Sequence, residues 1–185
     1  MCCLEKYLIE HCAPTLASLK AASLFRISIF SKEELEEQLL SWNRILGQKG
    51  ISICLLRQHQ RTALIYVYRR SQLQASLQRP EAECFLACYG YRQLDVENAL
   101  FRLQTRLAAD GSFPHEIGVF LGYPLEDVVG FIQNCGRNCK CSGCWKVYCN
   151  ESEAKKQFER FRKCREVYSR LWEQGRSVWQ LTVAA

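Results

Sequence analysis

The sequence predicts an α+β fold in which one compact domain, residues 1–185, builds a small mixed β-sheet covered by helices. The chain has 185 residues, which suits one ordinary domain with a single sizeable core. Strand-favouring residues fill the segments 24–30, 51–57 and 62–69, and helical periodicity dominates most of the remainder. Apolar residues make up 48% and charged residues 24%, which disfavours a disordered, collagen-like or coiled-coil chain.

The first 70 residues contain the sheet. A short helix over 3–11 should stop near Pro14, because the residue before a proline disfavours helical angles. A strand at 24–30 follows, then a helix capped by Ser31, and then strands at 51–57 and 62–69 joined as a hairpin. Since a helical crossover separates the first two strands, they could lie parallel, and the sheet would then be mixed.

The rest of the chain is mainly helical. Helical patterns cover 71–78, 81–89, 95–109, 115–121 and 125–134. A fourth strand is expected at 145–149, a long C-terminal amphipathic helix at 151–174 with Asn150 as its N-cap, and an edge strand at 178–183. No apolar run could span a membrane and no secretory signal is visible, so we expect a cytoplasmic protein with reduced cysteines.

The net charge of +6 arises in one part of the chain. Residues 137–176 hold 11 basic and five acidic side chains, and the basic and acidic side chains elsewhere balance. Such a segment could attract a nucleic acid, a phosphate or an acidic protein partner. Glutamates at helical spacings, such as Glu159 before Lys163, also fit a solvated helix face with internal ion pairs.

The segment FPHEIGVFLGYPLEDVVGFI, residues 113–132, has the highest density of unusual features. Pro114 and Pro124 begin two short helices, and His115 is the best candidate for an acid, a base or a metal ligand. Glu116 stands beside it, but the second histidine of a zinc-protease helix is replaced by Val119. A tight helical hairpin without chemistry is the alternative.

Cysteine chemistry has two candidate locations among the 12 cysteines. Cys12 lies at the end of a helix with Lys20 nearby, and with His115 and Glu116 it could form a thiol-based catalytic group, although a buried thiol is the alternative. Zinc or an iron–sulfur cluster could be held by a dense run whose candidate ligands are Cys135, Cys139, Cys141 and Cys144. Their spacing fits no standard cluster, and a loop that merely tolerates cysteine is the alternative.

Several stretches together resemble one protein family. They are CAPTLASLK, ALIYVYR, the PHEIG-x-FLGYP-x-EDV core, CSGCWKVY with its WKVY motif, and AKKQFERFRKC. The sequence resembles an uncharacterised bacterial domain-of-unknown-function family found chiefly in anaerobes. The resemblance covers nearly the whole chain, with Cys139, Cys144 and Cys149 as departures. It implies a single cytosolic domain and carries no established activity, so it implies no reaction.

The leading hypothesis is a pocket for a small anionic molecule or a metal. Its predicted lining comprises Cys12, Lys20, His115, Glu116, Tyr123 and Lys146, and Tyr148 is a further ligand-binding candidate. A metal or iron–sulfur sensor using the cysteine run is the first alternative. Binding of a nucleic acid or a protein partner through the basic C-terminal helix is the second.

Overall fold

The computed structural model describes residues 4–29, 31–109 and 113–184, and it confirms the α+β class. The elements in chain order are α1 Leu4–Leu16, β1 Ala22–Ser28, α2 Lys32–Leu46, β2 Ile51–His59, β3 Thr62–Arg69, α3 Arg70–Leu77, α4 Pro80–Ala87, α5 Val96–Ala108, α6 Ile117–Phe120, α7 Leu125–Gln133, β4 Cys141–Ser142, β5 Lys146–Val147, α8 Glu151–Glu173 and α9 Val178–Leu181. Cys3 and Phe30, at the ends of a predicted helix and a predicted strand, lie outside the described residues. No described helix has the length and apolar character needed to cross a membrane.

The central sheet has three strands in the order β1-β3-β2. The predicted β2–β3 hairpin is confirmed, but the prediction of a mixed sheet is wrong, because β3 pairs antiparallel with both of its neighbours. Strands β1 and β2 do run in the same direction, yet β3 lies between them. β3 is the middle strand, and its side chains from Ile65 to Arg69 are buried on both faces of the sheet.

Three other predicted elements differ in the structure. The predicted strand at 145–149 shrinks to β5, which pairs with β4 in a separate small hairpin and does not join the central sheet. The predicted edge strand at 178–183 is instead the short helix α9, begun by a capping box between Ser177 and Gln180. Helix α1 continues past Pro14 to Leu16, because burial of this last turn in the core outweighs the conformational preference.

Helices cover both faces of the central sheet. Ile65 and Val67 of β3 point into a core shared with α1, α2, α8 and α9. The alternating residues Tyr66 and Tyr68 point the other way, into a second core built with α3 to α7. The period-two pattern of the strand therefore separates two apolar clusters, each of which needs helices to exclude water.

A buried arginine connects the sheet to the end of α1. Arg69 is 1% exposed. Its Nε donates to the Thr15 carbonyl, and its Nη2 donates to the carbonyls of Leu16 and Val183, each at 2.7 Å. Burial lowers the pKa of Arg69, and the negative end of the α1 dipole favours its charge. This side chain holds in place the turn that leads from α1 to Lys20.

Candidate functional site

A cleft with a volume of about 960 Å³ brings several of the predicted segments together. We call it the main cleft. It lies between the α1–β1 turn, helices α3 and α4, the α6–α7 turn and the first half of α8, and its wall includes Lys20, Tyr123 and Trp145. These three residues come from three separate sequence segments that were predicted to be functional, and the fold brings them to one place.

The turn at Gly122 makes this meeting possible. Gly122 has a φ of +73°, and a Cβ there would lie 3.3 Å from the Cβ of Ala21. Glycine adopts this left-handed conformation without steric cost and allows the α6–α7 turn to approach the α1–β1 turn closely. Tyr123 follows Gly122, and Lys20 precedes Ala21. Their side chains therefore meet at the cleft wall.

Lys20 is the most unusual charged group of the cleft. Its ammonium lies 5.1 Å from the centroid of the Tyr123 ring, a cation–π arrangement. Burial lowers the pKa of Lys20 to about 8, the thiols of Cys144 and Cys12 oppose this shift, and the positive charge of Arg165 adds to it. The side chain is half-buried, so its amine is held in a poorly solvated position beside an open cleft.

The other lysines show how exceptional this environment is. Each of the remaining eight has an ion pair with a carboxylate or donates to a backbone carbonyl. Within residues 4–29, 31–109 and 113–184, Lys20 alone among the lysines has neither kind of partner. Its amine is therefore available to a group that enters from outside the protein.

Aromatic rings form the cleft wall next to Lys20. Tyr123 and Trp145 stack with ring centroids 5.0 Å apart, and Phe158 packs edge-on against Trp145 at 4.5 Å. The Tyr123 hydroxyl donates to the Cys144 carbonyl at 3.1 Å, and burial raises the pKa of Tyr123 to about 12. Tyr123 is therefore neutral at physiological pH and presents a flat polarizable surface.

Asp127 fixes the position of this aromatic wall. Its carboxylate accepts hydrogen bonds from Trp145 Nε1 at 2.7 Å and from the amides of Tyr148 and Cys149 at 2.7 and 2.9 Å. Burial opposes ionisation of Asp127, but the two backbone hydrogen bonds outweigh it and lower the pKa. Asp127 thus clamps the β4–β5 hairpin onto α7. The sequence does not predict this role of Asp127, although the EDV segment and Trp145 both belong to the motifs that resemble the family.

The close packing of the hairpin also explains the position of Tyr148. Its ring lies directly over Gly130, where a Cβ would come within 2.6 Å of the Tyr148 Cβ. The Tyr148 hydroxyl is buried without a hydrogen-bond partner in the described residues. Tyr148 is therefore packed against α7, and this predicted ligand-binding residue does not line the main cleft.

Basic side chains surround the mouth of the main cleft. Arg79 and Arg160 line it, and no carboxylate pairs with either of them in the part of the chain that the structure describes. Lys156 also lines it but is paired with Glu153 at 2.7 Å. Two other acidic residues line the main cleft. The Asp127 carboxylate already accepts three hydrogen bonds, and the exposed Glu126 has no partner among the described residues.

A smaller apolar pocket of about 290 Å³ shares Tyr123 and Trp145 with the main cleft. His115 and Lys146 line it, but each is already engaged. The exposed His115 ring packs edge-on against Phe131 with centroids 4.9 Å apart, and Lys146 Nζ donates to the Gly136 carbonyl at 2.6 Å. These two predicted site residues therefore belong to a neighbouring pocket and not to the main cleft.

The structure does not gather the predicted catalytic set. Cys12 is fully buried in the core shared with α1 and α8, and burial raises its pKa to about 12, so it is a neutral thiol. Glu116 is buried beyond the other face of the sheet, where it pairs with Arg106 and accepts a hydrogen bond from Tyr91. The segments that follow Cys12 and Glu116 come into contact through Lys20 and Tyr123 instead.

The predicted metal ligands also remain apart. Cys135, Cys139, Cys141 and Cys144 are free thiols, as are all the other described cysteines. Over the described ranges, no group of three or more histidine, cysteine or acidic side chains is arranged to hold a metal ion. The run of cysteines instead surrounds the small β4–β5 hairpin.

Comparison with known proteins decides the family. A family model described as "Protein of unknown function (DUF3793)" matches residues 8–182. The chain belongs to this family. The match confirms the resemblance to a domain-of-unknown-function family. The matched range of DUF3793 includes every residue that lines the main cleft. Neither the curated proteins nor the solved structures that were searched gave a match.

Proposed function

We propose that this DUF3793 protein binds a small anionic molecule in the main cleft. The observation that carries the proposal is the amine of Lys20, which is half-buried at the cleft wall without a carboxylate or carbonyl partner among the described residues. Burying a cation costs free energy unless it is paired. An anion in the cleft would supply that pairing through a charge-assisted hydrogen bond.

The surroundings of Lys20 support an anion further. Arg79 and Arg160 line the same cleft and offer planar guanidinium groups that suit carboxylates and phosphates. The stacked Tyr123 and Trp145 rings add a flat surface for an apolar or planar part of the ligand. A volume of about 960 Å³ lies at the upper end of the size range of small-molecule sites.

The alternatives have less support. A nucleophilic role for Cys12 requires a thiolate near a base, whereas Cys12 is buried with a raised pKa and Glu116 is already paired. Nucleic-acid binding through α8 has less support, because the lysines of this helix and Arg162 form ion pairs with its glutamates. Arg160, Arg165 and Arg170 are the α8 cations without an ion pair in the described residues, and Arg160 lines the main cleft. Among the described residues, Lys20, Arg79 and Arg160 are the cations that line the main cleft without a carboxylate partner.

The test is a titration with inorganic pyrophosphate, a compact multivalent anion, followed by thermal unfolding. Saturation at about 100 times Kd should add about 2.7 kcal/mol of stability, which is a rise in Tm of about 5 to 10 °C for a chain of this size. Lys20→Met and Arg160→Gln should each weaken binding about tenfold or more, because each removes one charge-assisted contact.

The matched control is Arg44→Gln. Arg44 is an exposed arginine on α2 that does not line the main cleft, so its loss changes the net charge equally without touching the site. Binding that weakens as much in Arg44→Gln as in Arg160→Gln would indicate general electrostatic attraction. That result, or no stabilisation of the wild-type protein by pyrophosphate, contradicts the proposal.

A further inference from the structure

Lys20 is open to two cavities. Besides the main cleft, it lines a side cleft of about 380 Å³ whose other walls include Glu10, His11, Tyr123 and Arg165. Glu10 is engaged by Lys6 at 3.6 Å. The amine of Lys20 therefore faces both cavities, and neither Glu10 nor the exposed Glu126 of the main cleft pairs with it.

We propose that Lys20 forms a Schiff base with the carbonyl group of an anionic aldehyde or 2-oxo acid bound in the main cleft. This inference rests on the proposed anion site and adds the chemical class of the ligand. The geometry that supports it is an unpartnered amine at the wall of a cleft whose mouth holds two arginines, Arg79 and Arg160. The arginines would hold the carboxylate, and the amine would reach the neighbouring carbonyl carbon.

The chemistry balances without any further reactant. The lone pair of the neutral Lys20 amine attacks the carbonyl carbon, a C–N bond forms, and a proton passes from the nitrogen to the oxygen to give a carbinolamine. Loss of the hydroxyl group with one proton as water then breaks the C–O bond and leaves the imine. One amine and one carbonyl give one imine and one water, and nothing is oxidised or reduced.

The environment of Lys20 favours the reactive neutral form. The groups that face it are the thiols of Cys12 and Cys144, the Tyr123 ring, and, across the side cleft, Glu10, His11 and Arg165. With a pKa of about 8, roughly one amine in ten is neutral at pH 7, against about one in three thousand at the ordinary value of 10.5.

Two other lysines provide internal controls. Lys156 lines the same cleft but is held by Glu153, and Lys146 lines the adjacent apolar pocket but donates to the Gly136 carbonyl. Both contacts stabilise the protonated amine, which is not a nucleophile. If a place in the main cleft were enough for a lysine to form an imine, Lys156 would react as well as Lys20. If the amine must also lack a partner, only Lys20 of these three lysines would react.

The experiment treats the full chain with glyoxylate, the smallest aldehyde with a carboxylate, and traps any imine with sodium cyanoborohydride as a stable carboxymethyl-lysine. Peptide mass spectrometry then measures the labelling rate of each lysine. At pH 7, Lys20 should react at least about tenfold faster than Lys146 or Lys156, and pyrophosphate should protect it. Equal labelling of the three lysines would overturn the inference.

A second variant separates the two proposals. Lys20→Arg keeps the positive charge but has no amine that can form an imine, since arginine stays protonated. It should retain pyrophosphate binding within a few-fold and lose the selective adduct. Pyrophosphate binding that depends on Lys20, without a selective adduct, overturns the Schiff base and leaves the anion site standing. Selective labelling that pyrophosphate does not slow overturns the anion site itself.

Discussion

Arg69 offers a sharp test of how the fold positions Lys20. The substitution Arg69→Met keeps the length and apolar character of the side chain and removes every donor. In the protein, three hydrogen bonds of 2.7 Å run from the guanidinium to the carbonyls of Thr15, Leu16 and Val183. The substitution therefore releases the end of α1 and the C-terminal segment at the same time.

The magnitude follows from these contacts. Hydrogen bonds from a charged donor contribute about 1.5 to 3 kcal/mol each, so three of them amount to about 4.5 to 9 kcal/mol. Two effects reduce this figure. The carbonyls of Thr15 and Leu16 keep a backbone donor each, at 3.2 and 3.0 Å, and the variant no longer buries a charge. We expect a net loss of about 3 to 5 kcal/mol in the free energy of unfolding.

The assay is urea unfolding followed by circular dichroism, with melting as a second measure. The loss corresponds to a fall in Tm of about 6 to 20 °C. The control is Arg70→Met, the same substitution at the next residue, where an exposed arginine pairs with Glu97 on the surface and should contribute less than about 1 kcal/mol. If Arg69→Met destabilises the protein no more than Arg70→Met, the assigned role of Arg69 is wrong.

Three further predictions concern the site and its supports. Lys20→Met should stabilise the protein by about 1 to 3 kcal/mol at pH 7, because the lowered pKa of about 8 reflects a cost of burying the charge. That gain is complete below pH 8 and vanishes as the pH rises towards 10.5, so a gain independent of pH in urea unfolding would refute it. Glu116→Gln should cost about 2 to 4 kcal/mol, because it leaves the Arg106 guanidinium without its carboxylate; wild-type stability in the same assay would contradict the pairing. Asp127→Asn should cost about 2 to 4 kcal/mol and shift the indole N–H signal of Trp145 in NMR spectra, and an unchanged signal would show that Asp127 does not orient this ring.

Local signals in the sequence predicted the elements well. Ser31 does accept from the amide of Glu34 and begins α2, and Asn150 does accept from the amide of Glu153 and begins α8. Both signals depend on residues within three positions of each other. The order of strands depends on contacts between distant residues, and no local pattern distinguishes β3 as the central partner of β1 from a neighbour of β2 alone.

The candidate site could be predicted only in part, for the same reason. The segments that contain Lys20, Tyr123 and Trp145 were identified as unusual, but which of their atoms meet is decided by tertiary packing. Cys12 and Lys20 are eight residues apart, yet Cys12 lies in α1 and faces the core, whereas Lys20 lies on the following turn and lines the cleft. Arg160 looks like any other cation of a charged helix, and only the fold shows that it faces the cleft.

Chemical-shift mapping during a titration with inorganic pyrophosphate tests the anion site most directly. The proposal predicts that the largest changes fall on the amides around Lys20 and Tyr123 and on the indole N–H of Trp145, which is fixed at 2.7 Å from Asp127. The same titration of Lys20→Met should show these changes only at much higher concentrations of pyrophosphate. Changes confined to the outward face of α8, or changes at the cleft that persist unaltered in Lys20→Met, would contradict the proposed site.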